Sequence, residues 1–262
     1  MHFYCKYIFI KYKSGLKLYQ WGENLMNLKD LIKLQEKEKK TTFTQNNYDV
    51  KENIELSLIW HSNDEKIWNT ALNKYWTLIK HENLAIEKYM EELNFELIKN
   101  LNENDFYDFL FDKYFVWKYT AKNRLTTTRT QLNRYKDEYK INKLKEIKEE
   151  LFSFDLKDTK KGLEIATRIH GLGTAGASGL LSVLFPKYFG TVDQFVVKSL
   201  ISIKNMNNME LLLKMNPERL SIADGIILID IMRNRAEQLN NKNSINHWTP
   251  RHIDKVLWAC GH

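Results

Sequence analysis

The segment 169–193 constrains the fold of this chain more than any other. Four of the chain's 10 glycines lie at 171, 173, 176 and 179, and the whole chain of 262 residues contains 3 prolines. Gly171-Leu172-Gly173 stands between two helical patterns and predicts a tight turn, because glycine adopts positive φ without steric cost. Gly176 and Gly179 fall inside the second helix, where glycine costs about 1 kcal/mol and indicates close helix packing. We predict helices over residues 158–170 and 174–185, with Pro186 ending the second.

The rest of the chain also favours helices. Glycine and proline are scarce, and apolar residues recur at helical spacing over residues 63–79, 84–101, 105–120 and 125–151. Asn63, Ser221 with Asp224, and Thr249-Pro250 are predicted helix starts. Residues 27–40 indicate a short charged helix and 41–51 a loop. We find no strand alternation, so the predicted architecture is all-α.

The length fits one medium domain or two closely packed helical subdomains. We predict a non-native or disordered leader at 1–25, an N-terminal subdomain at 26–150, a hairpin region at 151–204 and C-terminal helices at 205–262. Trp21-Gly22-Glu23 requires purine-rich codons just before Met26, which is typical of a ribosome-binding site and makes Met26 the predicted true start. The early apolar run 7–10 is too short for a signal peptide or membrane span, so we expect a cytoplasmic monomer without membrane contact.

Charge and cysteine content limit the partners. The net charge is +7, and residues 111–150 hold 11 Lys/Arg against 6 Asp/Glu, which permits a polyanionic partner. Cys5 and Cys260 alone cannot build a zinc site or ligate an iron–sulfur cluster, and nothing marks the chain as secreted for a disulfide between them. His247, His252 and His262 with Cys260 match no closed zinc spacing, so we expect neither a metal nor a cofactor.

Asp193 follows Gly173 by 20 residues and stands where the next helix is expected to begin. A Gly-apolar-Gly turn that offers its amides to phosphate, followed by a carboxylate at a helix start, resembles the helix-hairpin-helix DNA glycosylase superfamily. In that superfamily the hairpin binds the DNA backbone and the Asp acts at the sugar of a flipped-out nucleotide. The resemblance covers residues 160–204. It implies double-stranded DNA as the partner, Asp193 as the catalytic residue, and DNA contacts from Gly171, Leu172, Gly173, Thr174, Ala175 and Gly176.

The chemistry expected of Asp193 follows from the reaction. Breaking an N-glycosidic bond develops positive charge on the sugar, which a fixed carboxylate stabilises while it orients a water. Bifunctional members of the superfamily place a lysine where this chain has Ala175. The resemblance therefore implies a monofunctional enzyme that leaves an abasic site, without lyase activity.

A second segment, 114–124, interleaves aromatic and basic residues as base-stacking surfaces do. We predict Trp117, Lys118 and Gln194 in the base pocket, and phosphate contacts from Arg124, Arg129 and Lys198. The simpler alternatives are that the aromatic residues form a core stripe and that Asp193 only caps a helix.

Two other functions stay open on the sequence. The chain could be a non-enzymatic DNA-binding helix-hairpin-helix module, or a helical protein-interaction domain with a fortuitous turn. The excised base is not readable from the sequence, and repair and defence against modified foreign DNA are both compatible.

Overall fold

A computed structural model describes residues 7–12, 15–20, 53–136, 138–243 and 247–261. The chain divides into two compact units, residues 1–49 and 50–262. Met26, Cys5, His262 and the predicted elements at 27–40 and 41–51 lie outside the described residues.

The described part of the first unit is a β-hairpin. Strands β1 (Tyr7–Tyr12) and β2 (Gly15–Gln20) pair antiparallel, with Tyr7 opposite Gln20 and Tyr12 opposite Gly15. The sequence analysis predicts no strand in this segment, so the hairpin corrects that prediction. The segment 7–12 is rich in aromatic and β-branched residues, which favour a pleated strand, and only residues 13 and 14 separate it from the second strand.

The described residues of the second unit are helical, which confirms the all-α prediction for this part of the chain. The helices are α1 (Ile54–His61), α2 (Glu65–Leu78), α3 (Leu84–Glu91), α4 (Phe95–Lys99), α5 (Glu103–Asp108), α6 (Phe115–Lys118), α7 (Lys122–Leu132), α8 (Glu138–Leu151), α9 (Thr159–Thr167), α10 (Thr174–Leu184), α11 (Gln194–Ser202), α12 (Met209–Leu212), α13 (Ile222–Asn243) and α14 (Pro250–Cys260). A π-helical turn, Phe109–Tyr114, joins α5 to α6, and 3₁₀ turns lie at His81–Asn83 and Asn133–Tyr135.

Helix starts follow the side chains that cap them. Asp158 accepts a hydrogen bond from Lys161 N at 2.9 Å, and Thr249 accepts one from His252 N at 3.3 Å ahead of Pro250. Ser221 and Asp224 form the predicted capping box at the start of α13. The cap of α2 is Asp64 rather than the predicted Asn63, because the Asp64 carboxylate accepts from Lys66 N.

The single helix predicted over residues 84–101 is divided in two. Helix α3 ends at Glu91, and Asn94 opens α4 by accepting hydrogen bonds from the N–H groups of Glu96 and Leu97. An asparagine side chain that satisfies backbone donors in this way competes with continuation of the helix. Apolar periodicity alone did not reveal the break.

The core of the second unit lies around α10 and α14. Every residue of α10 except Ala175 is buried, and α14 buries most of its length against α2, α11 and α13. Helix α9 packs on both α10 and α13. Within the described ranges, no helix combines the length and apolar character that crossing a bilayer requires.

Candidate active site

The turn between α9 and α10 is a glycine hairpin. Gly171 has φ +96°, and a Cβ there would lie 2.9 Å from the Thr128 carbonyl oxygen, so this position requires glycine. Gly173 has φ −90°, and a Cβ on it would meet no atom within 4 Å. The positive φ expected of this turn therefore belongs to Gly171, while Gly173 leaves the entrance to α10 uncovered.

The N-terminus of α10 carries backbone donors for which the described part of the chain provides no acceptor. Gly173 is the N-cap and offers no side chain, and among the described residues nothing accepts from the N–H groups of Thr174, Ala175 or Gly176. These three donors at a helix start, together with the helix dipole, form a site suited to an anion.

Gly176 and Gly179 serve close packing, as predicted. The Tyr114 hydroxyl donates to the Gly176 carbonyl, and the Tyr119 hydroxyl donates to that of Gly171 at 3.3 Å. A Cβ on Gly179 would lie 2.8 Å from the Tyr114 hydroxyl and 3.2 Å from Cδ of Lys118. The absence of a side chain at 179 thus lets the end of α6 lie directly on α10.

Asp193 is the N-cap of α11. Its Oδ1 accepts hydrogen bonds from Phe195 N at 2.9 Å and Val196 N at 3.2 Å. Its Oδ2 lies 3.8 Å from Nζ of Lys118, and the Asp193 side chain is 24% exposed. The capping interpretation is correct for Oδ1, while Oδ2 remains directed at the pocket beside Lys118.

Helix α10 fixes the loop that carries Asp193. Val192 N donates to Ser178 Oγ at 2.9 Å, and the Ser182 and Thr191 hydroxyls lie 2.9 Å apart. Asp254 on α14 accepts a hydrogen bond from Thr191 N at 2.6 Å. The hairpin helix and the Asp193 loop are therefore joined by buried hydrogen bonds.

A buried charged network lies behind this loop, and sequence reasoning did not identify it. Arg251 Nη1 contacts Asp254 Oδ1 at 2.9 Å, and its Nη2 contacts Glu87 Oε1 at 3.3 Å. Glu87 also accepts from the Tyr75 hydroxyl at 2.5 Å and from Trp117 Nε1 at 2.6 Å. Burial raises the pKa of Asp254 to about 6, against the lowering effect of Arg251. The one local signal was that α14 places Arg251, Asp254 and Lys255 among apolar residues.

These elements enclose a pocket of about 660 Å³, which we call the Asp193 pocket. Asp193, Lys118 and Trp117 line it together with Phe195 and Arg251. Gln194, the third predicted pocket residue, does not line it; its Oε1 accepts from Lys198 Nζ at 3.4 Å.

Lys118 has an unusual environment for a lysine. Its side chain is 11% exposed, and Asp193 is the carboxylate within 4 Å of its ammonium group among the described residues. Burial lowers the pKa of Lys118, and the nearby Asp193 opposes that shift. A partly desolvated amine beside a carboxylate is a common feature of reactive sites.

The predicted phosphate contacts are spread over two helices. Arg124 is exposed in the first turn of α7, and Lys198 is exposed one turn into α11. Arg129 donates through Nε and Nη2 to the Phe111 carbonyl at 3.0 and 2.8 Å, and its guanidinium lies 4.2 Å from the Phe111 ring centroid. Arg129 therefore anchors α7 to the π-helical turn.

The C-terminal histidines lie close together. The rings of His247 and His252 stack with centroids 5.0 Å apart, and Cys260 is a buried free thiol. Over the described residues, no three His, Cys, Asp or Glu side chains gather in a way that could hold a metal ion.

Comparison with known proteins gives no relative for this chain. No family model, no curated protein and no solved structure matches it. The residues of the site must therefore carry any functional argument.

Proposed function

We propose that this chain is a DNA glycosylase that hydrolyses the N-glycosidic bond of a damaged or modified base and leaves an abasic site. One observation carries the proposal: neighbouring residues at the end of α6 reach both parts of the site. The Tyr119 hydroxyl contacts the glycine hairpin, and the Lys118 ammonium group contacts Asp193.

The glycine hairpin binds the DNA backbone. The free N–H groups of Thr174, Ala175 and Gly176 bind a backbone phosphate next to the target nucleotide, with the open face at Gly173 admitting the phosphate. Holding the backbone offsets part of the few kcal/mol needed to unstack a base.

The Asp193 pocket receives the flipped nucleotide. Trp117 offers an aromatic surface, and Asp193 Oδ2 faces C1′ of the sugar. The C1′–N bond breaks, and the base leaves with the bonding electron pair and takes up a proton from solvent water, while the proton later accepted by Asp193 returns to solvent. Asp193 stabilises the developing cation and then accepts a proton from the water that adds to C1′.

Lys118 favours a second route at the same site. Burial increases the fraction of its side chain present as neutral amine, which is the nucleophilic form. Attack of that amine on C1′ displaces the base and leads, after ring opening, to an imine. In this route Lys118 would act in place of the lysine that bifunctional members of the superfamily have at the position of Ala175.

The test is incubation of the protein with duplexes that each carry one modified base. The proposal expects release of at least one base, with strand breaks appearing only after alkali. Borohydride added during turnover separates the two routes, because it traps an imine at Lys118 and leaves the hydrolytic route without an adduct. No abasic site on any duplex, together with salt-sensitive DNA binding, would favour the non-enzymatic DNA-binding module.

A further inference from the structure

A second pocket, of about 800 Å³, lies elsewhere in the helical unit and shares no lining residue with the Asp193 pocket. Its walls are the end of α1, the loop 205–208 and the C-terminal half of α13. Most of its polar lining side chains are amides, and we call it the amide pocket. Arg235 and Lys242 line it, whereas none of its described lining residues is Asp or Glu.

Arg235 is a buried cation for which the described residues provide no counter-ion. It is 7% exposed, and its guanidinium lies 5.9 Å and 5.1 Å from the ring centroids of Trp60 and Trp68. No carboxylate of the described residues forms an ion pair with it, and its Nε has no hydrogen-bond partner there. Burying an unpaired charge is costly, and burial lowers the pKa of Arg235.

The acceptors that Arg235 does have are neutral, and their orientation matters. Nη2 donates to the Ser62 carbonyl at 2.5 Å, while Nη1 donates to Asn63 Oδ1 at 3.2 Å and Gln238 Oε1 at 2.9 Å. Because both amides give their oxygen to Arg235, each presents its NH₂ group on the other side. Asn63 and Gln238 thus add donors to a pocket that already has a surplus of positive charge.

The amide pocket offers hydrogen-bond donors and two cations, and its described lining residues include no carboxylate. This combination is complementary to an oxyanion. We propose that the amide pocket binds a phosphate group, through the NH₂ groups of Asn63 and Gln238 and the ammonium group of Lys242, with Arg235 supplying the buried charge. The phosphate belongs either to a DNA strand, in which case the inference rests on the proposed function, or to a free phosphorylated small molecule.

Titration with inorganic phosphate, followed through the NMR signals of side-chain amides, tests the pocket directly. We expect saturable shifts of the Asn63 and Gln238 NH₂ signals. Lys242→Glu should weaken phosphate binding at least tenfold, while Lys214→Glu, an exposed charge reversal outside the lining, should leave it unchanged.

Gln238→Glu gives a second, independent arm. The isosteric carboxylate gives Arg235 a counter-ion within the protein, so this variant should lose phosphate binding and gain thermal stability. A folded Gln238→Glu protein that binds phosphate as the wild type does would overturn the proposal. The absence of any saturable shift with phosphate, a 5′-mononucleotide or duplex DNA would do the same.

The source of the phosphate is decided by two further probes. A DNA source predicts that duplex shifts the same amide signals and that Lys242→Glu lowers the salt dependence of duplex binding by about one ion. A small-molecule source predicts that a 5′-mononucleotide binds while duplex affinity is unaffected by Lys242→Glu. Asp193→Asn, which tests the proposed glycosylase, should retain phosphate binding, so failure of one proposal is distinguishable from failure of the other.

Discussion

Removal of Arg251 should expose how strongly the Asp193 pocket depends on the charges behind it. Arg251→Gln leaves two buried carboxylates, Asp254 and Glu87, without the cation that lies 2.9 and 3.3 Å from them. At an effective dielectric constant of 20, these contacts correspond to gross attractions of about 6 and 5 kcal/mol. Desolvation offsets much of this, and breaking a buried pair by removing one partner costs about 3–5 kcal/mol. We expect the free energy of unfolding of the Arg251→Gln protein to be lower than that of wild type by an amount in that range at pH 7.5.

The loss should depend on pH with a definite sign. Burial already raises the pKa of Asp254 to about 6, and removing Arg251 removes the main influence that lowers it. The native variant therefore binds protons more readily than its unfolded chain. The contribution of Asp254 to the stability of the variant is present at low pH and is lost as the pH rises from about 4 to above 6. The difference from wild type should be larger at pH 7.5 than at pH 5.

Urea unfolding at the two pH values measures both effects. Arg168→Gln is the matched control, because its ion pair with Glu150 at 2.6 Å is about 40% exposed on both sides and should contribute at most about 1 kcal/mol. An Arg251→Gln protein within 1 kcal/mol of wild type at pH 7.5, or an equal loss at both pH values, would refute the reasoning.

Four further substitutions test separate parts of the account. Gly173→Ala should leave the free energy of unfolding nearly unchanged, because its Cβ meets open space, and it should weaken DNA binding. Gly171→Ala should lower the free energy of unfolding by about 1–3 kcal/mol, because the backbone there has φ +96°. Equal effects of the two on unfolding would argue against this geometry. Gly179→Ala should cost about 1–3 kcal/mol by overpacking against Tyr114, and should change the borohydride-trapping yield if Lys118 is the nucleophile. Burial lowers the pKa of His252 to about 4, so the free energy of unfolding should fall by up to about 3 kcal/mol as the pH drops from 6.5 to 4. A His252→Gln protein whose free energy of unfolding, measured in urea, falls by the same amount over this pH range would contradict the assignment.

Local signals predicted much of the helical framework. The glycine hairpin, the capping box at Ser221 and the helix starts at Asp193 and Thr249 were readable because each depends on a few neighbouring residues. The break at Asn94 was missed, since a cap inside a periodic segment looks like one more polar residue.

The charged network behind the pocket could not be predicted in the same way. Glu87 and Arg251 are 164 residues apart, and the one local signal, charged residues among the apolar residues of α14, does not identify the partner of Arg251. Their pairing depends on how α3 and α14 pack. Trp117 and Lys118 were placed in the pocket on composition alone, and the feature that explains Lys118 is the missing side chain of Gly179 across the helix interface.

Single-turnover base release by Asp193→Asn tests the central claim most directly. Asparagine keeps the shape and the capping ability, so folding and duplex affinity should stay within a few-fold of wild type. Because the amide cannot stabilise a developing cation, we expect a loss of about 10²–10³ in rate. Asp64→Asn, the same change at the cap of α2, should release base as wild type does. An Asp193→Asn protein that releases base within a few-fold of the wild-type rate would contradict the account.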